Sequence, residues 1–345
     1  LSKFAPKYNP YQDCLLKTFM KELPILTFEP QFKRVIWGGQ RIAEYKGVPS
    51  PGDKIGESWE ISGLPGHESV VSDGPFKGRK LLTLLDTHAE ALLGKKLYER
   101  FGHTFPLLVK FIDSADDLSI QVHPDDSLAK EKYNGCGKTE MWVNIAPSVG
   151  AYLYCGLNRK LSPDEYRKAV DNNTIIDYLC KYYPDKDDVF FLPAGHIHSL
   201  GRGNFVLEIQ QTSDTTYRIY DYNRLDADGN PRQLHIEESL AAINFSDVAD
   251  TAPTRIPEGK NNEFVIADCK HFTATAIDIE NEHILNLNNR DSFTIVIAID
   301  GEVELIAPDG TTTRLTRGHT ALIPASMPTV IAKGNCRLIT TFINC

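Results

Sequence analysis

Short runs of β-branched and aromatic residues, cut again and again by glycine and proline, fill most of the chain from Leu26 onward. That rhythm suits strands and turns and leaves little room for a helical bundle. Strands are expected at Phe28–Trp37, Ser58–Ser62, Glu68–Ser72, Pro106–Ile112, Leu118–His123, Asp188–Pro193 and Asn204–Gln211. Three segments break the pattern. Leu81–Leu93 repeats leucine and alanine at helical spacing and is followed by Gly94. Ser162 precedes Pro163, Asp164 and Glu165, a helix start that should run to about Asn172. His235–Asn244 has the pattern of a short amphipathic helix. Past a polar connector at Ser246–Asn262, further strands are expected at Phe272–Ile279, Phe293–Ile299, Val303–Ile306, Thr320–Ile323 and Leu338–Phe342. Asp300-Gly301 and Asp309-Gly310 fall between them as hairpin signals. This tail has the size of a small antiparallel barrel or jelly roll.

Composition narrows the function classes. The formal net charge of −9 over 345 residues disfavours a nucleic-acid partner, which needs a basic face. A small anionic substrate remains compatible, because a few lysines and arginines can cluster locally. The seven cysteines are scattered and form no Cys-x-x-Cys pair, so free thiols in a reducing cytoplasm are expected. No apolar run approaches the roughly 20 residues that span a bilayer, so no membrane partner is expected. The first twenty residues lack a signal-peptide core, and the start at Leu1 leaves room for a short preceding segment.

Three stretches carry potential metal chemistry. Gln121 and His123 are two apart in a strand that Pro124 ends, so both side chains project from one face at a rim. Glu140 heads an apolar strand after Lys138 and Thr139. His196 and His198 follow the turn at Pro193-Ala194-Gly195. Imidazoles, one carboxylate and an amide oxygen suit a borderline divalent ion such as zinc. A lone strand histidine is more often a hydrogen-bonded structural residue, and His67, His88, His103, His235, His271, His283 and His319 take that role. Trp37–Gly39 and Gly56–Trp59 could face a substrate, but their tryptophans are assigned to β core, and Asp125 and Asp126 to a turn or to contacts behind the ligands.

These stretches resemble the signature segments of type I phosphomannose isomerases, a family of zinc-binding cupins. Gln-Val-His-Pro-Asp-Asp (121–126), Lys-Thr-Glu-Met-Trp (138–142) and Pro-Ala-Gly-x-x-His (193–198) occur in family order. Glu208-Ile209-Gln210-Gln211 leads on to Ser213-Asp214 and Tyr217-Arg218, and Trp37-Gly38-Gly39 and Gly56–Glu60 match upstream. The resemblance covers roughly residues 26–245, is closest to the short bacterial form, and implies a mainly β fold. Two cupin-type jelly-roll barrels with a few short helices are expected. An arm at 1–24, a catalytic unit at 25–250 with a reduced helical insertion near 161–184, and a metal-free C-terminal unit at 255–345 complete the layout.

Carried over by residue, the resemblance implies one zinc ion held by Gln121, His123, Glu140 and His198, with Gln121 either a ligand or a neighbour of one. Catalytic roles fall to Arg218, Lys138 and Asp214, and substrate contacts to Lys110, Ser119 and Glu208. Lys110 and Lys138 could anchor a phosphate or shuttle a proton, Glu208 is the carboxylate alternative to Asp214 for acid–base work, and Arg218 could stabilise charge or anchor the phosphate. The implied reaction interconverts mannose 6-phosphate and fructose 6-phosphate through an enediol. A non-catalytic, metal-bound sugar-binding cupin and a metallo-cupin oxygenase are the alternatives. Oligomeric state is not readable.

Overall fold

The computed structural model describes residues 23–225, 229–246, 248 and 253–344. The arm expected at 1–24 lies almost wholly outside the described residues, as does part of the connector. The fold is mainly β, and none of the described helices is long and apolar enough to cross a membrane.

Two antiparallel sheets enclose the first barrel. One runs in the order Thr254–Arg255, Asp188–Leu192, Glu140–Asn144, Phe205–Gln211, Leu107–Asp113, Ile55–Ser62, Gln31–Gly39. The other runs Tyr217–Tyr220, Ile120–Val122, His198–Leu200, Leu153–Leu157, Leu179–Tyr182. Trp37, Ile112, Trp142, Leu153, Leu200 and Val206 pack between them as one apolar cluster. The central strands of the larger sheet are buried on both faces, which explains why Leu107–Asp113 and Phe205–Gln211 read as near-continuous apolar runs. Leu108, Lys110 and Ile112 lie on the barrel face. Leu107, Val109 and Phe111 take the other face and join Ala274, Phe293, Ile295 and Ile339 of the second barrel in one core.

That second barrel is a seven-stranded sheet with long, bent strands, Thr273–Asn286, Thr294–Ile306 and Thr329–Phe342, at its centre. Its interior is apolar, with Ile277, Val296, Leu305 and Leu338 among the residues that fill it. The sheet is completed at one edge by Leu26–Thr27, from the other end of the chain, with Leu26 opposite Leu322 and Thr27 opposite Ala321.

Several local expectations are corrected. Asp300-Gly301 makes no hairpin: strand Thr294–Ile306 runs through it with a register shift between Ala298 and Asp300. Gly301 sits there at φ +70°, its Cα so close to Asn335 that an added Cβ would fall 2.1 Å from the carbonyl oxygen. The glycine therefore serves a bulge, not a turn. Asp309-Gly310 does close the next hairpin, with Ala307 N–H donating to Thr311 O. Glu68–Ser72 forms only isolated bridges, Phe28 with Val71 and Val70 with Lys80. Helices Lys95–Phe101 and Asp126–Tyr133 were not expected. Helix Pro163–Asp171 has the anticipated cap, as Ser162 Oγ accepts from Glu165 N–H while Glu165 accepts from Ser162 N–H.

A charge network joins the two barrels. Arg337 donates through Nη2 to Asp278 at 2.7 Å and through Nη1 to Asp187 at 2.6 Å. Hydrogen bonding from Arg337 holds the Asp278 carboxyl below its ordinary range, against the cost of burial. A depressed folded pKa stabilises above the unfolded value and loses that stability as pH falls through the folded one. Asp278→Asn should therefore melt below wild type at pH 7, and the gap should close as pH drops below about 3.8. Parallel melting curves from pH 7 to pH 2 check this, and a gap that persisted in acid would exclude the ion pair as its source.

Candidate active site

The site is built at strand ends where the two sheets of the first barrel approach each other. In the smaller sheet Gln121 lies opposite both His198 and Arg218. Pro124 stops that strand, and Asp125 then caps helix Asp126–Tyr133 by accepting from Leu128 N–H at 2.8 Å. The turn at Gly195 is tied back by its N–H to His123 O at 2.9 Å. Glu140 opens its strand in the larger sheet, opposite Gln210. These separate constraints bring His123, Glu140 and His198 together, with one donor atom from each within 4.8 Å of the others. All three side chains are almost fully buried.

Their hydrogen bonds dictate what the cluster can accept. His123 Nδ1 is 2.9 Å from Thr215 O, and His198 Nδ1 is 2.8 Å from His196 O. A carbonyl only accepts, so each Nδ1 carries the proton and each Nε2 presents a lone pair. His198 Nε2 lies 3.1 Å from Glu140 Oε1, and His123 Nε2 lies 3.6 Å from Glu140 Oε2. Two imidazole lone pairs thus face a carboxylate, and buried Glu140 Oε1 receives no hydrogen bond. Such a set of convergent acceptors fits a divalent cation, and the carbonyl contacts orient the rings as metal-binding histidines require.

Gln121 brings its side-chain amide to 3.3 Å from His198 Nε2. His196, the other histidine of the pair, turns instead towards Cys155, with Nε2 3.6 Å from Sγ. Lys138 Nζ contacts Glu140 Oε2 and lies 3.0 Å from His123 Nε2. Burial disfavours charge on both His123 and Glu140. For His123, burial and then Lys138 push the pKa well below the usual imidazole value, so the ring is neutral. For Glu140, burial opposes the charge, but the attraction of the Lys138 ammonium overrides it and holds the carboxyl well below the usual range.

A cavity of about 340 Å³ adjoins the cluster, and Lys110, Ser119, Lys138, Glu208, Asp214 and Arg218 all line it. That volume lies in the range of small-molecule sites. Lys110 sits between Glu208 at 3.2 Å and Glu57 at 4.0 Å. Burial works against its charge, but Glu57, Glu208 and Glu140 outweigh it and hold the ammonium above the usual lysine range. The same carboxylates accept from indoles, Trp59 Nε1–H to Glu57 at 2.5 Å and Trp142 Nε1–H to Glu208 at 2.9 Å.

Trp37 and Trp59, assigned from sequence to the core, are buried and also form cavity wall. Glu57 and Trp59 fall in the stretch 56–59 that the sequence offered as a possible substrate-facing segment, whereas Arg232 is a cavity residue that the sequence did not single out. The Glu-x-Trp spacing at 57–59 was a usable signal, because residues two apart on a strand share a face and Trp59 pairs with Lys110. Arg232 lies in a polar loop and offered none. Of the histidines given structural roles, His235 accepts from Arg218 N–H at 3.1 Å.

A two-barrel β protein with two histidines and a glutamate converging beside a charged cavity defines a cupin with a candidate metal centre. The family model described as phosphomannose isomerase type I, catalytic domain, matches residues 25–152, and that described as mannose-6-phosphate isomerase, cupin domain, matches 260–343. A mannose-6-phosphate isomerase of Streptococcus mutans is 38% identical over 66% of this chain and 70% of its own length. ManA, a mannose-6-phosphate isomerase of Bacillus subtilis, is 32% identical over 82% of this chain and 87% of its own. The crystal structure of the mannose 6-phosphate isomerase from Bacillus subtilis superposes with a TM-score of 0.82 at 33% identity, covering 92% of this chain and 99% of that one. The chain belongs to the type I mannose-6-phosphate isomerase family, a family of aldose–ketose isomerases.

Proposed function

We propose that this chain is a zinc-dependent isomerase that interconverts mannose 6-phosphate and fructose 6-phosphate through an enediol. The observation that carries the proposal is the joining of a cation-seeking His–Glu–His cluster to a cavity walled by lysine, arginine and carboxylate side chains. His123, Glu140 and His198 would hold the zinc, with Gln121 at its margin. When bound, the ion supplies Lewis-acid polarisation of substrate oxygens.

The chain's own residues divide the remaining work. Arg218, a guanidinium that stays protonated, stabilises negative charge as it develops along the C1–C2 unit. Glu57 and Glu208 are committed to Lys110 and to indole N–H groups, and orient sugar hydroxyls with Lys110 and Ser119. Lys138 and Asp214 are then left to move the proton. Asp214 is exposed at the cavity and, among the described residues, enters no ion pair. Residues 25–250 act as the catalytic unit and 255–345 as a packing unit without a metal. Thiols such as Cys136, Cys269 and Cys336, in no disulfide, suit work in a reducing cytoplasm.

The test is a coupled assay of mannose 6-phosphate isomerisation before chelation, after it and after zinc is restored. Activity should vanish with the metal and return with it. Full turnover by thoroughly stripped protein would refute zinc dependence. Zinc-loaded protein that binds hexose phosphate without converting it would be a binding module instead.

A further inference from the structure

We infer that Thr139 and Gln211, which neither belong to the His–Glu–His cluster nor line the cavity, clasp the three ligand-bearing segments together and so set how tightly the metal centre holds its ion. The inference rests on the metal centre of the proposal above and assigns the residues that position its ligands.

The need for a clasp follows from the topology. Glu140 opens a strand of the larger sheet, His198 opens one of the smaller sheet, and His123 follows the end of another. Regular pairing stops at Glu140, which makes the terminal pair with Gln210 on one side and with Leu192 on the other. Pro193, next along, has no N–H with which to carry the second ladder on. Metal–ligand distances are held to within about 0.2 Å, so the gap between the sheets at this end has to be fixed by something besides strand pairing.

Thr139 fixes one side. Its Oγ1 accepts from Ala194 N–H at 3.2 Å, the amide just past Pro193, and fastens the Glu140 strand to the turn that leads to His198. Gln211 fixes another. Its N–H donates to Thr139 O at 3.1 Å, its Oε1 accepts from Thr139 N–H at 2.9 Å, and its Nε2 donates to Asp126 Oδ1 at 2.9 Å. Asp126 begins the helix that follows His123, and the same Oδ1 accepts from Gly137 N–H at 3.0 Å. The third side is backbone alone, Gly195 N–H to His123 O. Another backbone bond, Lys138 N–H to Pro124 O, runs beside the Gln211 link, so losing the side chains should loosen the site without dismantling it. Both side chains are buried, so water does not readily replace their bonds. A site whose ligands are in register only part of the time binds its ion more weakly by that fraction.

Gln211→Leu and Thr139→Val remove these bonds while keeping most of the side-chain bulk, and Thr139→Ser keeps the hydroxyl. The dissociation constant for zinc, read by competition with a chromogenic chelator, should rise about 10- to 100-fold in the first two, the scale seen when groups behind metal ligands are lost. Thr139→Ser should stay close to wild type. The visible spectrum of the cobalt-loaded protein should change in the same two variants and not in Thr139→Ser. A purely structural role would lower the melting temperature of the metal-free protein and leave zinc affinity and cobalt spectrum at wild-type values, which would overturn the inference. So would variants that stay unfolded in excess zinc while Thr139→Ser folds, because the bonds would then hold the barrel and not the ligands. Variants that fold only once zinc is supplied would support it, since the ion then gathers what the clasp no longer holds. Zinc binding is read without turnover. A wild type that binds zinc through the cluster yet converts no mannose 6-phosphate would thus sink the isomerase proposal and leave this inference standing.

Discussion

Replacing Glu140 with glutamine is expected to empty the metal centre and to lower turnover by about three orders of magnitude or more, as loss of a core member of a catalytic unit does. Glutamine keeps the volume but replaces an anionic ligand with a neutral amide. Glu140 is the sole anion of the cluster, fully buried; it converges with both histidine Nε2 atoms and pairs with the Lys138 ammonium. Its neutralisation also leaves Lys138 as a buried cation without its partner, which costs about 3–5 kcal/mol in comparable sites. Lowered metal content, lost activity and a lower melting temperature should appear together. Glu140→Asp, with the charge retained, should recover stability better than activity. Metal analysis of the purified variants beside wild type makes the check, and a Glu140→Gln protein with a full complement of zinc would remove the cluster as the metal centre.

Arg218→Ala should give the opposite separation. Turnover is expected to fall by about 10²- to 10³-fold, the scale of deleting one preorganised donor to a developing charge. Zinc content should stay near that of wild type, because Arg218 contacts the Gln233 carbonyl and touches none of His123, Glu140 or His198. Burial, then the neighbouring Arg232, pushes its pKa below the usual arginine value, so the truncation also relieves a strained concentration of positive charge. The fold should therefore tolerate the change. Metal analysis and steady-state kinetics on one preparation decide the matter: a variant that lost its zinc would show that Arg218 supports the ligands and not the substrate.

The features legible in the sequence were those enforced by local chemistry. Strand periodicity, proline stops and the Ser162–Glu165 cap act within a few residues, and most of those elements appeared where they were expected, Glu68–Ser72 with its isolated bridges being an exception. Gln121 and His123 were readable because spacing two apart on a strand fixes a common face, whereas Glu140 and His198 were marked by the order of the family motifs, and His196, also two from His198, turns to Cys155 instead. Their convergence was not, since it depends on sheet pairings such as Gln121 with His198 and Gln210 with Glu140, far apart in the chain. Errors arose where one signal serves two structures. Asp-Gly closes the hairpin at 309–310 but supplies a bulge at 300–301, because only tertiary contact with Asn335 distinguishes them. Helix Asp126–Tyr133 buries little beyond Ala129, so it shows almost no apolar period and is set by its Asp125 cap. Trp37 and Trp59 looked like packing residues because a tryptophan can be buried and line a ligand cavity at once.

The pairing of Leu26–Thr27 with Thr320–Ile323 has an evolutionary cost attached. Recombination that swapped only the last ninety or so residues between relatives would set a strand from one parent against an edge shaped by the other. A poor fit would leave that edge with unpaired amides in solvent, an invitation to self-association. Exchange of the second barrel is thus best tolerated when the segment around Leu26 travels with it, so two segments about three hundred residues apart form a matched pair.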